Sequence, residues 1–134
     1  MTRPARGERN NNPGNIRHGS QWQGLSPQQT DKDFCQFISP EYGISAIYKL
    51  LQTYQKKYKL NTVASIINRY APPNENNTVD YINRVAKDLG VGINEPINTS
   101  SKPVAIALAT AIVSVELGYQ PYSEKVFEDA WALL

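Results

Sequence analysis

The sequence predicts an all-α domain of about five helices around a buried central helix at residues 104–116, with an irregular N-terminal lobe. The first twelve residues of that central segment contain only two polar side chains, Thr110 and Ser114. A helix that is apolar on every side belongs in the middle of a domain. Other segments carry apolar residues at helical spacing, and no sheet pattern is convincing. We expect one domain, 1–134, which is large enough for a single core.

The N-terminal quarter of the chain predicts little regular structure. Residues 1–33 are rich in turn formers and helix breakers, including an asparagine run followed by Pro-Gly. A long irregular segment in a compact domain is usually either disordered or functional. We expect a frayed tail at 1–5 and a functional loop after it. Segment 34–38 is expected to be a short strand or an extended entry into the first helix.

The five predicted helices have start and stop signals of their own. Ser39-Pro40 and Ser123 are typical helix starts, Gly90 and Gly118 typical ends, and a Pro-Pro pair must end the second helix. The lysines at the end of the first helix suit the negative end of its dipole, and contact with a ligand is the alternative. The expected bounds are 39–57, 61 or 62 to 71, 78–90, 101–118 and 124–133.

Glu116 is the first charged residue after the apolar part of the central helix. Poor hydration and the negative end of the helix dipole both favour its protonated form. Both effects raise the pKa of Glu116, as a general acid near neutral pH requires. The alternative is that this side chain simply emerges into solvent where the helix leaves the core.

The composition argues against several kinds of site. A net charge of +2 gives little support for nucleic acid as a partner. The single cysteine, Cys35, and single histidine, His18, argue against a disulfide framework, a zinc site and Cys/His catalysis. We expect no cofactor and no metal. The apolar segment of the central helix is too short to span a membrane, which takes about 20 residues. No secretory signal is visible.

The remaining chemical groups are carboxylates, amides and aromatic rings, many of them at helix ends and in loops. This set suits carbohydrate, because rings stack on sugar faces and amides bind hydroxyl and N-acetyl groups. For the tyrosines, packing in the core is the alternative; the asparagines are the better signal, since buried amides need hydrogen bonds. The predicted substrate contacts from this reasoning are Asn10, Asn12, Asn15, Trp22, Tyr70, Tyr81 and Tyr119.

Four motifs spread over most of the chain resemble a family of phage and prophage proteins. Its members are described as virion proteins or as peptidoglycan-degrading enzymes. The motifs are Arg6-Gly-Glu-Arg-Asn-Asn-Asn-Pro-Gly-Asn-Ile-Arg17, Trp22-x-Gly24, Asp31-x-x-Phe34-x-x-Phe37 and Arg69-Tyr-Ala-Pro-Pro-x-Glu-Asn-Asn-Thr78-x-x-Tyr81.

A second resemblance is to lytic transglycosylases and goose-type lysozymes, in which the catalytic glutamate ends a buried helix. The segment Glu116-Leu-Gly-Tyr-Gln-Pro-Tyr-Ser123 is similar to their Glu-Ser-Gly-x-Asn-Pro-x-Ala signature. Phe34-Cys-Gln36 is similar to their Gly-Leu-Met-Gln segment, and this similarity implies that Gln36 contacts substrate. Tyr70 and Thr78-x-x-Tyr81 resemble their Tyr-Asn-Ala-Gly and Thr-x-x-Tyr stretches. Here the glutamate segment comes last in the chain instead of first.

Glu8, followed by Asn12 and a proline, matches the same signature in the usual order. Pro4 and Gly7 argue against the helix that should carry it, and two nearby arginines would keep its carboxylate ionised. We therefore rank Glu116 first and Glu8 second as the catalytic acid.

The second resemblance implies a lysozyme-like domain that cuts the β-1,4 bond between N-acetylmuramic acid and N-acetylglucosamine. With one glutamate and no fixed partner, we favour a lytic transglycosylase, in which the sugar's own 6-hydroxyl closes an anhydro ring. Asp31, Asp33 or Glu75 as a second carboxylate would make the protein a hydrolytic muramidase. Glu75 ranks third among the glutamates, as a ligand-side or structural carboxylate. The alternative function is a non-catalytic virion or peptidoglycan-binding module.

The expected partners follow from this interpretation. They are peptidoglycan glycan strands, with either a virion scaffold or an immunity protein as a further partner left open. We expect no nucleic acid, no membrane insertion and a monomeric chain. We also expect synthesis in the cytoplasm, followed by delivery to the cell wall or incorporation into the virion.

Overall fold

The computed structural model describes residues 3–134, which form six helices. The all-α prediction is confirmed, because these residues contain only two isolated antiparallel bridges besides helices, turns and loops. Met1 and Thr2, which belong to the expected frayed tail, lie outside the described residues. Ala5, in the same tail, is held by a hydrogen bond from its backbone N to Tyr119 Oη (2.8 Å). The helices are α1 (Arg6–Arg9), α2 (Pro40–Tyr58), α3 (Val63–Tyr70), α4 (Thr78–Leu89), α5 (Lys102–Leu117) and α6 (Glu124–Ala132).

The sequence prediction of about five helices missed α1. This helix is a single turn, and it contains Glu8, so the expectation that Pro4 and Gly7 exclude a helix there is wrong. Pro4 lies before the turn, where its missing N–H costs nothing. A single glycine lowers helix stability by only about 1 kcal/mol, which packing of this turn against α5 offsets.

Local capping explains where most of the other helices begin and end. The Thr62 side chain accepts a hydrogen bond from Ser65 N, and Ser65 Oγ accepts one from Thr62 N, which is a capping box at the start of α3. The N-cap of α4 is Asn77, whose side chain accepts a hydrogen bond from Asp80 N. Gly118 closes α5 in the left-handed conformation, with φ of 82°.

Helix α5 packs against α1, α2, α4 and α6. One of its flanks remains at the surface, because Ala107 is exposed and Ile106 and Thr110 are only half-buried. The prediction of a helix enclosed on every side therefore holds for most of its circumference, and a gap remains between α4 and α6. Its buried side chains are Ala105, Leu108, Ala109, Ala111, Ile112, Val113 and Leu117.

Apart from the single turn of α1, the N-terminal lobe folds onto α2 without regular secondary structure. Isolated bridges join Arg17 to Phe34 and Leu25 to Phe37, so of the two expected forms, segment 34–38 is the extended entry into α2 and not a strand. The loop approaches α2 at Gly43, where a Cβ would collide with the Asn11 carbonyl oxygen. This close approach holds the loop at Asn11 against the start of α2.

Candidate functional site

Glu116 lies in the last turn of α5, where three distant parts of the chain meet. Asn15 Nδ2 donates a hydrogen bond to one carboxylate oxygen (2.8 Å), and Tyr81 Oη lies 2.9 Å from the other. Burial raises the pKa of Glu116 above its ordinary value of 4.5, and the hydrogen bonds with Asn15 and Tyr81 lower it by less. The net direction is upward, so the carboxyl group holds its proton to a higher pH than an exposed glutamate does.

A groove passes Glu116 and consists of two adjoining hollows. The first, of about 450 Å³, lies between the N-terminal lobe and the residues at the end of α3. The second, of about 510 Å³, lies between the start of α4 and the end of α5. Both hollows are lined by Asn76 and Glu116. Their volumes are in the range of about 300–1,000 Å³ that is common for ligand sites.

Backbone geometry brings Asn15 to the carboxyl group. Asn15 has a φ of 51°, in the left-handed region that asparagine adopts more readily than most residues. The preceding Gly14 lies against α2 and α3, and a Cβ there would collide with Tyr70 Oη and the Ile47 side chain. Tyr70 Oη in turn donates a hydrogen bond to the Gly14 carbonyl oxygen (2.6 Å). The Pro-Gly-Asn part of the motif therefore turns the chain so that the Asn15 amide points at Glu116.

Tyr81 and Tyr70 are both tied to this site. Tyr81 is buried and lines the second hollow, whereas Tyr70 lines the first. Burial raises the pKa of both phenols, with a further contribution from Glu116, so both remain protonated. The Trp22 ring also lines the first hollow. Among the predicted substrate contacts, the structure thus brings Asn15, Trp22, Tyr70 and Tyr81 together, with Glu75 beside them.

Three predicted substrate contacts have a structural role instead. Asn12 is completely buried, and its amide bonds to the backbones of Ile16 and Cys35. Asn10 is buried too, and it donates to Asp31 and accepts from Gln36 Nε2. None of Asn10, Asn12 and Gln36 lines either hollow. Asparagine occurs at both structural and ligand-binding positions, because its amide can form hydrogen bonds either with the backbone of a tight loop or with a ligand.

Glu8 and Tyr119 form a separate contact away from the groove. Tyr119 Oη donates to Glu8 Oε1 (2.6 Å), and both side chains line a shallow hollow with Pro4 and Ala5. Neither residue lines the hollows that contain Glu116. Their contact joins α1 to the segment after α5, so both Tyr119 and Glu8 lie outside the groove.

The three proposed second carboxylates have different environments. Asp31 accepts two hydrogen bonds from the Arg6 guanidinium and one from Asn10, which hold the pKa of Asp31 well below its usual range. Asp33 also pairs with Arg6 (3.1 Å). Only Glu75 lines the groove, where its carboxylate lies 3.8 Å from the guanidinium of Arg17.

Several groove residues were missed as site residues in the sequence reasoning. Arg17 and Phe34 line the first hollow from the N-terminal lobe, and Arg69 lines it from α3. Asp80 lines the second hollow. Arg17, Phe34 and Arg69 all fall inside the motifs that carry the phage-family resemblance, which was the one signal that could have identified them. The spacing of apolar residues could not identify them, because exposed residues do not contribute to an apolar pattern.

The rest of the described chain offers little other chemistry. Cys35 is a buried free cysteine, and burial raises the pKa of its thiol. Residues 3–134 contain no group of three or more His, Cys, Asp or Glu side chains that could hold a metal ion. Over the same residues, no helix has both the length and the apolar character needed to cross a membrane.

Comparison with known proteins places the chain among phage proteins. No protein-family profile matches it. It is 42% identical over 123 residues to Protein P5 of Pseudoalteromonas phage PM2, and the match covers 89% of this chain and 75% of the phage protein. Identity at this level over most of both chains shows common descent. The chain therefore belongs to the family of Protein P5 of phage PM2.

Proposed function

We propose that this protein cleaves peptidoglycan glycan strands at the β-1,4 bond after N-acetylmuramic acid, with Glu116 as the general acid. The observation that carries the proposal is Glu116 itself: a partly buried glutamate at the end of the central helix, with a raised pKa, facing a groove. A carboxyl group that keeps its proton can protonate the glycosidic oxygen as the bond breaks. The resemblance of the segment from Glu116 to lytic transglycosylases and goose-type lysozymes, in which the acid also ends a buried helix, supports the proposal.

Asn15 and Tyr81 are positioning residues for this acid. The Asn15 amide holds one oxygen of Glu116, and the hydroxyl of Tyr81 can either donate to the other oxygen or accept its proton. The carboxyl group is thereby oriented in both protonation states. The Trp22 side chain in the first hollow suits the face of a sugar ring, whereas the Phe34 ring is covered by the guanidinium groups of Arg6 (4.6 Å) and Arg17 (4.9 Å).

Within this proposal we favour a lytic transglycosylase. Asp31 and Asp33 are engaged by Arg6 away from the groove, and Glu75 is paired with Arg17. The first hollow thus holds no unpaired carboxylate beside Glu116, and in the second hollow Asp80 accepts a hydrogen bond from Asn77 Nδ2 (2.8 Å). In a transglycosylase, Glu116 gives its proton to the leaving oxygen, and the muramyl 6-hydroxyl oxygen bonds to C1. The proton of that hydroxyl returns to Glu116, so the product is a 1,6-anhydro sugar and no water is consumed.

The test is loss of turbidity of purified peptidoglycan with wild type, Glu116→Gln and Glu8→Gln. Removing a general acid costs about 10²- to 10⁴-fold in rate, so Glu116→Gln should be at least about 100-fold slower. Glu8→Gln is the matched control, since it makes the same change outside the groove, and it should keep most of the activity. Clearing that depends on Glu8 and survives Glu116→Gln would refute the assignment.

Two further measurements complete the test. Mass spectrometry of the products distinguishes anhydro-muropeptides, expected for a transglycosylase, from reducing ends produced by hydrolysis. Tyr81→Phe removes the hydroxyl from Glu116 and should slow cleavage by about tenfold, the effect of one hydrogen bond. Wild type that binds peptidoglycan without clearing it would instead support the non-catalytic virion or wall-binding function.

A further inference from the structure

Arg69 lines the first hollow from the last turn of α3, with its guanidinium stacked on aromatic rings. Its Cζ is 3.8 Å from the centroid of the Tyr58 ring and 5.4 Å from that of Tyr54. Lys57 Nζ lies 5.4 Å from the same Tyr58 ring. Tyr54 and Arg69 both line the hollow that contains Glu116. The wall of the first hollow at Arg69 therefore continues into a basic and aromatic surface.

This surface carries positive charge without a matching carboxylate. Arg17 pairs with Glu75 across the hollow, whereas Arg69 forms no ion pair with any residue in 3–134. Lys57, which lies over the same Tyr58 ring, also has no carboxylate partner within that range. The whole chain has a net charge of only +2, so this local excess of cations is not simply a property of the composition.

Stacking prepares Arg69 to bind an anion. A mobile arginine side chain loses conformational entropy when it binds a ligand. Stacking on a ring already restricts the guanidinium, so less entropy is lost on binding. Tyr58 covers a face of the guanidinium, and the Tyr54 hydroxyl accepts a hydrogen bond from it. A guanidinium has five N–H donors, so the others remain for a carboxylate, which matches two parallel N–H groups.

We propose that Arg69 binds a carboxylate carried by the muramic sugar, and so makes the groove specific for charged wall glycan over neutral glycan. This inference rests on the proposed function, because it assumes that the strand in the groove is peptidoglycan. Two carboxylates have the required chemistry: that of the lactyl group, when it is free, and those of the attached peptide. A neutral polymer of N-acetylglucosamine carries neither.

The experiment measures binding in the Glu116→Gln background, where no cleavage disturbs the equilibrium. Addition of Arg69→Gln should weaken binding to intact peptidoglycan by about 10- to 100-fold, as expected for loss of a charge-assisted hydrogen-bonded pair. Arg69→Lys keeps the positive charge but lacks the planar guanidinium, so its affinity should lie between those of Arg69 and Arg69→Gln in the same background. Lys125→Gln is the control: it removes one positive charge from α6, away from the groove, and should leave binding unchanged.

Three ligands identify which carboxylate is bound. Intact peptidoglycan presents peptide carboxylates, amidase-treated glycan presents the free lactyl carboxylate, and an N-acetylglucosamine oligomer presents neither. The effect of Arg69→Gln should be large on at least one of the first two ligands and absent on the third. An equal effect on the neutral oligomer, an equal effect of Lys125→Gln, or an absence of binding to peptidoglycan would overturn the inference.

The same variants separate this inference from the proposed function. If wild type cleaves peptidoglycan and Arg69→Gln binds it normally, only the role of Arg69 is refuted. If binding depends on Arg69 but wild type cleaves nothing, the inference stands and the catalytic proposal fails. Tighter Arg69-dependent binding to a DNA oligonucleotide than to peptidoglycan would refute the inference in favour of a nucleic-acid ligand.

Discussion

Replacing Asn12 by alanine tests how the N-terminal lobe is held together. Asn12 is fully buried, its Oδ1 accepts from Ile16 N (3.0 Å), and its Nδ2 donates to the carbonyl oxygens of Ile16 and Cys35 (both 2.9 Å). Ile16 O also accepts from Cys35 N, so it keeps a partner after the substitution. Asn12→Ala therefore leaves two buried backbone groups, Ile16 N and Cys35 O, without the bonds they make to this side chain.

Each unsatisfied buried group costs about 1–3 kcal/mol, and we expect a loss of about 3 kcal/mol in the free energy of unfolding. At about 2.1 cal/mol/K of unfolding entropy per residue, this loss lowers the melting temperature by about 10 °C. Urea unfolding followed by circular dichroism and tryptophan fluorescence measures it, with a lower midpoint and an unchanged slope.

Two companion variants sharpen this test. Asn12→Asp keeps the size of the side chain but replaces the amide donor by a carboxylate that faces two carbonyl oxygens, so it should destabilise at least as much as alanine. Asn83→Ala, on the exposed face of α4, should change stability by less than about 0.5 kcal/mol. A loss below about 1 kcal/mol in Asn12→Ala would show that water or a shifted loop replaces these hydrogen bonds, and would refute the reasoning.

Two other predictions follow from the site. Gly14→Ala should lower the free energy of unfolding by about 1–3 kcal/mol, because its Cβ meets Tyr70 Oη and Ile47. Urea unfolding measures this loss in the wild-type background and in Tyr70→Phe. Full stability of Gly14→Ala would contradict the described loop geometry. Glu116 has a raised folded-state pKa, so its contribution to stability is fully present below its ordinary value of 4.5 and is lost as the pH rises through the folded-state pKa. Glu116→Gln should therefore be more stable than wild type at pH 7, and this advantage should disappear near pH 4; an advantage that is independent of pH would show that the pKa is not raised.

The helices could be predicted from the sequence because their signals are local. Apolar spacing, the proline at the start of α2 and the glycines after α4 and α5 act within a few residues of each helix end. The same locality explains the missed α1, which is a single turn and too short to show any spacing. It also explains the exposed flank at Ala107, because an apolar pattern cannot show that α4 and α6 leave a gap.

The candidate site was only partly predictable, because its contacts join distant residues. Asn15 and Glu116 are 101 positions apart, and nothing in either local sequence indicates that they meet. Asn12 and Asn15 look alike in the motif, yet one is buried in backbone contacts and the other faces the groove. Tyr119 is close to Glu116 in sequence, but the left-handed turn at Gly118 directs it to Glu8 instead.

The groups around the candidate acid come from the start, the middle and the end of the chain, at positions 15, 81 and 116. No short peptide contains all three, and opening of any one segment separates them. The altered acidity of Glu116 is thus a property that only the completely assembled protein possesses. Its titration, followed by NMR without any substrate, reports directly whether that assembly exists in solution.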